Sequence, residues 1–488
     1  MEAGRTKRQP TGIPGLDELL IGGTVPGASI MVEGLPGSGK STMAMQIMYA
    51  GIERGEPGIY VTLDESGERI YRDAQSYGWD FRKLENENKL RVIPTSPEGL
   101  VGQVQNGGPL IEAAREIGAR LVVVDSVTML ETLTTGPAEF RQFYSGLVRG
   151  LEAADLRVLM VRDMEPQTGG IAADFWSRYT PDVLVDLEME TVHFRLSRRS
   201  MEVVKTRGQD HIGGKHAFRI TDNGMVVFPR IMPPPSEEVR YPTPHVPSGI
   251  PGLDEMLHGG FILEQPVLVS GPTGSGKTLL SLYFLAECAK RGEPALLFTT
   301  EETPAATIAH AASIGLDLRP LIDEGLLDIE YIVQTELSID ELLFRLRSRL
   351  ASKPYRRLAI DSVNSIARMS PDASFTHDAI MFLMGLLRSE ELTSIMTYEM
   401  RAVAGPFEVT RLKLSPFADT ILVTRLIEIN GEVRKGVTVL KHRGGPHATE
   451  IRELIISEQG LRVLGGFEGY QRVATSFPET DEGYQPDL

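Results

Sequence analysis

The chain has 488 residues, more than one typical domain carries, and its 41% hydrophobic and 24% charged content describes an ordinary folded protein with apolar residues enough for more than one core. A formal charge of −16, from 50 basic against 66 acidic residues, argues against a protein that coats nucleic acid by neutralising phosphates. The single cysteine, Cys288, excludes an internal disulfide and a thiolate zinc cage; no apolar run reaches membrane-spanning length and none follows the basic start at Met1 to Pro10, so the expected place is cytoplasmic, with no membrane partner.

In chain order, the first distinctive segment is Thr11 to Leu20, followed by an apolar run, Ala28 to Val32, that predicts a strand. Gly34 to Ser41 then fits a glycine, any four residues, and Gly-Lys-Ser, and leads into a predicted helix at Ser41 to Arg54. Such a loop wraps a polyphosphate with backbone N–H groups, which requires residues without a Cβ where the chain bends towards the anion. Gly37, Ser38 and Gly39 supply the bend, Lys40 would reach the β and γ phosphates, and Ser41 would hold Mg²⁺, with Thr42 behind it on a helix whose positive end faces the phosphates.

Further strands are predicted at Ile59 to Leu63, Leu121 to Val124 and Val158 to Val161, with helices at Pro109 to Ile117 and Glu139 to Ala153. The first of these strands runs into the acids Asp64 and Glu65, and the second closes on Asp125, where a carboxylate at the phosphate crevice can orient water on Mg²⁺. Continuous Val/Leu/Ile runs suit strands buried on both faces of a parallel sheet. A β-rich end follows at Val183 to Leu187, His193 to Leu196 and Met201 to Lys205, and then the cations Lys205, Arg207 and His211, with Thr206 between. Lys205 and Arg207 are expected to point the same way from a strand.

Pro229 to Pro247 contains seven prolines and reads as an extended linker. Beyond it the chain repeats. Thr11 and Ser248 begin matching segments 237 positions apart, and the spacing holds within one residue from Gly34 and Gly271 to Lys205 and Lys441, which is the mark of duplicated domains. The second phosphate loop, Gly271 to Thr278, offers Thr273, Gly274, Ser275, Gly276, Lys277 and Thr278, with Leu279 after it. The acids are Glu301 and Glu302, of which one is placed to take a proton from a water or hydroxyl nucleophile, and Asp361 closes the strand Leu358 to Ile360. Asp125, Asp361 and Glu301, with Ser41 and Thr278, are the candidate Mg²⁺-side oxygens. The closing cations are Lys441, His442, Arg443 and His447. The expected architecture is α/β, two tandem P-loop domains at 1–229 and 246–466, each a mostly parallel sheet flanked by helices, with a linker at 230–245 and a mobile acidic tail at 467–488.

The paired loops, the Ser/Thr-Gly-Ile-Pro-Gly-Leu-Asp-Glu segments, Glu301 with Glu302, and the two Lys-x-Arg-Gly strands resemble the KaiC-like family of the RecA-type ATPases. The resemblance covers about Thr11 to Phe467. It implies ATP and Mg²⁺ in each domain of a double-ring homohexamer, with nucleotide at subunit interfaces. It further implies that Lys205, Arg207 and His211, and likewise Lys441, Arg443 and His447, reach nucleotide on the neighbouring subunit. Ser76, Thr221 and Asp222 match further nucleotide contacts, and Glu301 matches the catalytic base. A KaiB-like protein is an implied partner, and Ser/Thr autokinase activity in the second domain an implied function, with Ser415 at the phosphosite position and Pro416 in place of the second acceptor. Ile314 stands where the family stacks an aromatic residue on adenine. The competing reading is a RecA-type DNA-dependent ATPase, a motor or recombinase. It needs basic or aromatic pore loops, and Thr132 to Pro137 and Met369 to Phe375 carry almost none.

Overall fold

The computed structural model describes residues 8–104, 108–133, 137–164, 180–192, 196–230, 244–333, 338–369, 373–400, 416–443, 445–467, 470–471 and 479–480. The chain divides into two compact units, Met1–Arg230 and Ile231–Leu488. Ser415 and most of the proline-rich linker lie outside the described residues, as does most of the predicted strand at His193 to Leu196.

Nine strands form the first sheet: β1 (Ile30–Gly34), β2 (Gly58–Thr62), β3 (Leu90–Pro94), β4 (Leu121–Asp125), β5 (Arg157–Asp163), β6 (Val183–Val192), β7 (Leu196–Thr206), β8 (Lys215–Thr221) and β9 (Gly224–Phe228). Their order is β3-β2-β4-β5-β1-β6-β7-β8-β9. β3 through β6 run parallel across the sheet and the last three strands are antiparallel. The second sheet repeats this order, with Pro266–Gly271 as its central loop-bearing strand and Gly460–Gly466 at the matching edge.

Residues alternate between the two faces of each sheet, which is the reason for a layer of helices on either side. Ile30 and Val32 join the cluster under helix Lys40–Glu53, whereas Met31 points to the opposite cluster with Val122, Val124 and Tyr144. Helix Lys40–Glu53 carries three Met and two Ala and has no β-branched run, so its propensity is good, and it buries Met43, Met45, Ile47 and Met48. Each such side chain contributes about 1.5–3 kcal/mol by leaving water.

The segment that begins each unit is folded by its own aspartate. Asp17 accepts from the Thr11 N–H and hydroxyl at 2.6 and 2.7 Å, and Asp254 accepts from the Ser248 N–H at 2.8 Å. Both segments lie against the last strand of their own sheet, where the Val227 N–H donates to Pro14 O at 2.9 Å and the Val463 N–H to Pro251 O at 2.8 Å. Gly15 and Gly252, at φ 84° and 85°, pass so close to the Val227 and Val463 carbonyls that a Cβ would collide with them.

Candidate functional site

In the first unit the loop from Gly34 delivers Lys40 to the start of a helix whose N-cap, Gly39, has φ 107°; a side chain there would press into Ile220. Lys40 is buried, with Nζ 3.0 Å from Leu35 O and 2.9 Å from Asp163 Oδ1. Gly37 is exposed, Ser38 is buried, and Ser41 and Thr42 are half-buried on the first turn. Asp125 ends β4 beside them. Burial pushes its carboxyl upward, while hydrogen bonds from Tyr60, at 2.6 Å, and from Ser41 oppose the shift by favouring the charged form.

The second unit repeats the arrangement. Lys277 Nζ lies 2.8 Å from Pro272 O, Thr278 donates to Asp361 Oδ2 at 2.8 Å, and Thr397 donates to the other Asp361 oxygen. Burial raises the Asp361 carboxyl, with those two hydroxyls opposing, and burial lowers the Lys277 ammonium. Ser275 is buried with its hydroxyl on Pro272 O, while Thr273 and Gly274 are exposed. A cavity of about 540 Å³ opens here, lined among others by Thr273, Gly276, Lys277, Thr278, Leu279 and Asp361.

The acid pairs differ. Glu301 accepts from Ser362 Oγ at 2.8 Å and lines that cavity together with Glu302, which meets His310 Nδ1 at 3.3 Å. In the first unit Asp64 is exposed, and Glu65 is tied to Arg69 at 3.1 Å. Burial raises the Glu65 carboxyl against the pull of Arg69.

The cationic groups lie elsewhere. β6 pairs Val183 with both Ile30 and Thr206, so Lys205 and Thr206 sit level with the beginning of β1, four residues from Gly34. At about 3.3 Å per residue they are at the opposite end of the sheet from their own phosphate loop. Lys205 Nζ donates to Pro181 O at 2.7 Å, Thr206 Oγ1 lies 3.0 Å from His211 Nδ1, and Arg207 is exposed near Asp182. β7 ends at Thr206, and Arg207, one residue beyond it, reaches Thr180 O at 3.4 Å, beside the Pro181 carbonyl that Lys205 holds, so the two cations lie on the same side as the alternation rule predicts. The second unit matches: Thr420 pairs with both Val267 and His442, Lys441 Nζ donates to Ala418 O at 2.7 Å, and Arg443 lies 3.2 Å from Asp419. His442 is buried between His245 and His447, with Nδ1 on Thr420 Oγ1 at 3.0 Å. Burial, then its histidine neighbours, push its pKa down to about 4. Among the described residues no group of three or more His, Cys, Asp or Glu is placed to hold a metal ion by itself.

With this geometry in view, the family model described as ATPase: KaiC matches residues 9–231 and 246–467. The chain belongs to the KaiC ATPase family. The circadian clock oscillator protein KaiC of Picosynechococcus sp. is 32% identical over 476 residues, covering 96% of this chain and 91% of the relative. That of Synechococcus elongatus is 32% identical over 479 residues, with the same coverage, and that of Prochlorococcus marinus 30% over 486 residues, 97% of this chain and 96% of the relative.

Within this KaiC-family chain, Ser76 is exposed with its hydroxyl on Asp73 O, and Thr221 and Asp222 form the exposed turn between β8 and β9, where Trp79 lies against Gly224. That turn belongs to the phosphate-loop side, since Ile220 packs towards Gly39. Cys288 is buried, its thiol raised to about 12 mainly by desolvation, as a structural cysteine should be. Sequence reasoning missed Asp163, Glu399, Ser362, His310, Lys435 and Ile456, of which all but Asp163 line the cavity of the second unit. Asp163 ends an apolar strand as Asp125 does, two residues beyond the apolar run Val158 to Val161. Among the described residues no helix is long and apolar enough to cross a membrane.

Proposed function

We propose that both units bind ATP with Mg²⁺ and hydrolyse it, in a homohexamer whose sites are completed by the neighbouring subunit. The observation that carries this reading is the convergence, around one cavity of about 540 Å³, of a loop lysine, a helix-start threonine, a strand-end aspartate and a glutamate. Thr278 with Asp361, and Ser41 with Asp125, are hard oxygen donors of the kind Mg²⁺ takes when it is shared with phosphate and water, not caged by protein. When bound, the ion would offset phosphate charge. Lys40 and Lys277 bind the phosphates, and Glu301, steadied by Ser362, takes the proton of the attacking water. Glu302 backs it, and Asp64 and Glu65 stand at the matching places in the first unit.

Assembly is supported by the placement of Lys205, Arg207 and His211, and of Lys441, Arg443 and His447, at the sheet end away from their own loops: cations built to meet phosphate there need another subunit's nucleotide. Ser76, Thr221 and Asp222 complete the base side. The relatives are circadian clock oscillator proteins, which supports a regulatory role, with a KaiB-like partner and autophosphorylation of Ser415 as further proposals that rest on the family resemblance.

Turnover by Lys40→Ala with Lys277→Ala tests the nucleotide reading, and unchanged phosphate release in that protein would sink it. Mixing Lys40→Ala with Arg207→Ala subunits tests assembly: partial recovery of first-unit turnover is expected, and none if Arg207 serves its own subunit.

A further inference from the structure

We infer that Asp163 and Glu399 are built-in counter-ions of the phosphate loops, which make each site select metal-complexed triphosphate over the metal-free anion. This rests on the nucleotide reading above and adds a specificity determinant to it. The register fixes the position: Gly34 pairs with Asp163, and Gly271 with Glu399. Adjacent strands lie about 4.8 Å apart, so each carboxylate stands beside the first glycine of its loop.

The same device pins both. The Asp163 N–H donates to Thr128 Oγ1 at 2.8 Å, and the Glu399 N–H donates to Asn364 Oδ1 at 2.7 Å, with Asn364 Nδ2 returning a bond to Glu399 O at 3.1 Å. Thr128 and Asn364 each stand three residues after the strand-end aspartate. The next residue is tied back to the loop as well, through Met164 N–H to Gly34 O and Met400 N–H to Gly271 O, both at 3.0 Å.

The side chains then engage the loops. Asp163 pairs directly with the buried Lys40 at 2.9 Å, and its charge also bears on Asp125. Glu399, longer by one methylene, accepts from the Thr273 hydroxyl and lines the cavity with Lys277 and Lys435. Burial disfavours the Lys277 ammonium, and the negative charges of Glu399, Asp361 and Glu301 act to support it. In the first unit two carboxylates, Asp125 and Asp163, therefore stand against one loop ammonium, and a bare polyphosphate must both displace Asp163 from Lys40 and face it. A nucleotide that brings its own divalent cation meets that surplus of negative charge favourably.

The test uses full-length Lys277→Ala protein, in which the first unit alone is read, with ATP binding measured by calorimetry in EDTA and in Mg²⁺. Asp163→Asn should tighten metal-free ATP by about tenfold, equivalent to 1.4 kcal/mol, and leave Mg·ATP within about threefold. Asp163→Glu should keep the parent's discrimination. An equal gain in both buffers, or no gain in EDTA, overturns the counter-ion role while leaving nucleotide binding intact. Failure of the parent to bind ATP in either buffer overturns the nucleotide reading and this inference together. Should Asp163→Asn not fold, by circular dichroism, Glu399→Gln in Lys40→Ala protein reads the second unit by the same criteria; if neither variant folds, the carboxylates are structural and the inference falls.

Discussion

Asp125 receives a hydroxyl from Tyr60, which reaches over from β2, whereas Asp361 receives one from Thr397, on the strand at its other side. At matching positions the second unit has Leu297 in place of the tyrosine, and the first has Val161 in place of the threonine. Beside the hydroxyl of Ser41 or Thr278, each buried carboxylate takes a second donor, and the two copies have found it on opposite sides. The acids that precede it differ more. Glu301 is held by a neutral hydroxyl and faces the cavity, while Glu65 is engaged by an arginine and stands one residue later in the repeat. Duplication has preserved the positions of charge and let the restraints drift.

The sharpest way to break this comparison is Glu301→Gln in Lys40→Ala protein. Second-unit phosphate release should fall by about 10²–10⁴-fold, with ATP affinity nearly unchanged, because a positioned base is removed and the phosphate contacts stay. Glu65→Gln in Lys277→Ala protein should cost less; equal losses would mean that the ion pair with Arg69 leaves Glu65 free to act.

Acid stability separates the units next. The unfolded chain holds its imidazoles near the ordinary value of 6.5, whereas His442 in the fold is near 4, so between those values the unfolded state binds more protons. Its contribution is intact above pH 6.5 and is lost as pH falls towards 4, to a total of about 3 kcal/mol. Denaturant titrations of His442→Thr, which installs the residue the first unit has at Thr206, should show that acid-side loss removed. An unchanged slope with pH would refute the assignment.

Exchanging the carboxylate donors is a milder intervention. Tyr60→Phe should destabilise the first unit by about 2 kcal/mol in denaturant, the typical worth of a buried hydrogen bond to a charged group, and adding Val161→Thr should restore much of it. No recovery in the double variant would show that the two sides are not interchangeable. The smallest effect is expected for Arg69→Ala. Arg69 is 56% exposed, so its pair with Glu65 should contribute less than about 1 kcal/mol by the same measurement.

Much of this was legible in the sequence because it depends on local pattern. The apolar runs at Leu121 and Val158, the helix at Pro109–Ile117 and the two phosphate loops follow from periodicity and glycine placement, and the repeat doubled each signal. β3 was missed since Leu90–Pro94 is an edge strand, only partly buried and without a continuous apolar run. What sets the chemistry of the carboxylates was not legible. Tyr60 and Thr397 look like ordinary strand residues until register puts their hydroxyls on an aspartate, and His310 is one more helix residue until the helix turns it towards Glu302. The closing cations could be found by spacing, but only strand pairing reveals that they face away from their own loops.

The bonds from Val227 to Pro14 and from Val463 to Pro251 mean that each unit's first segment is seated on its last strand. A body whose two ends already touch can be opened at a surface loop and rejoined end to start by a short tether, or copied head to tail, without any part of its interior being reconnected. Tandem duplication of such a body adds a second closed copy and asks only for a spacer between them. The proline-rich stretch around Pro233 to Pro235 has the composition of that spacer, and proteolysis there should release two pieces that each keep a complete sheet.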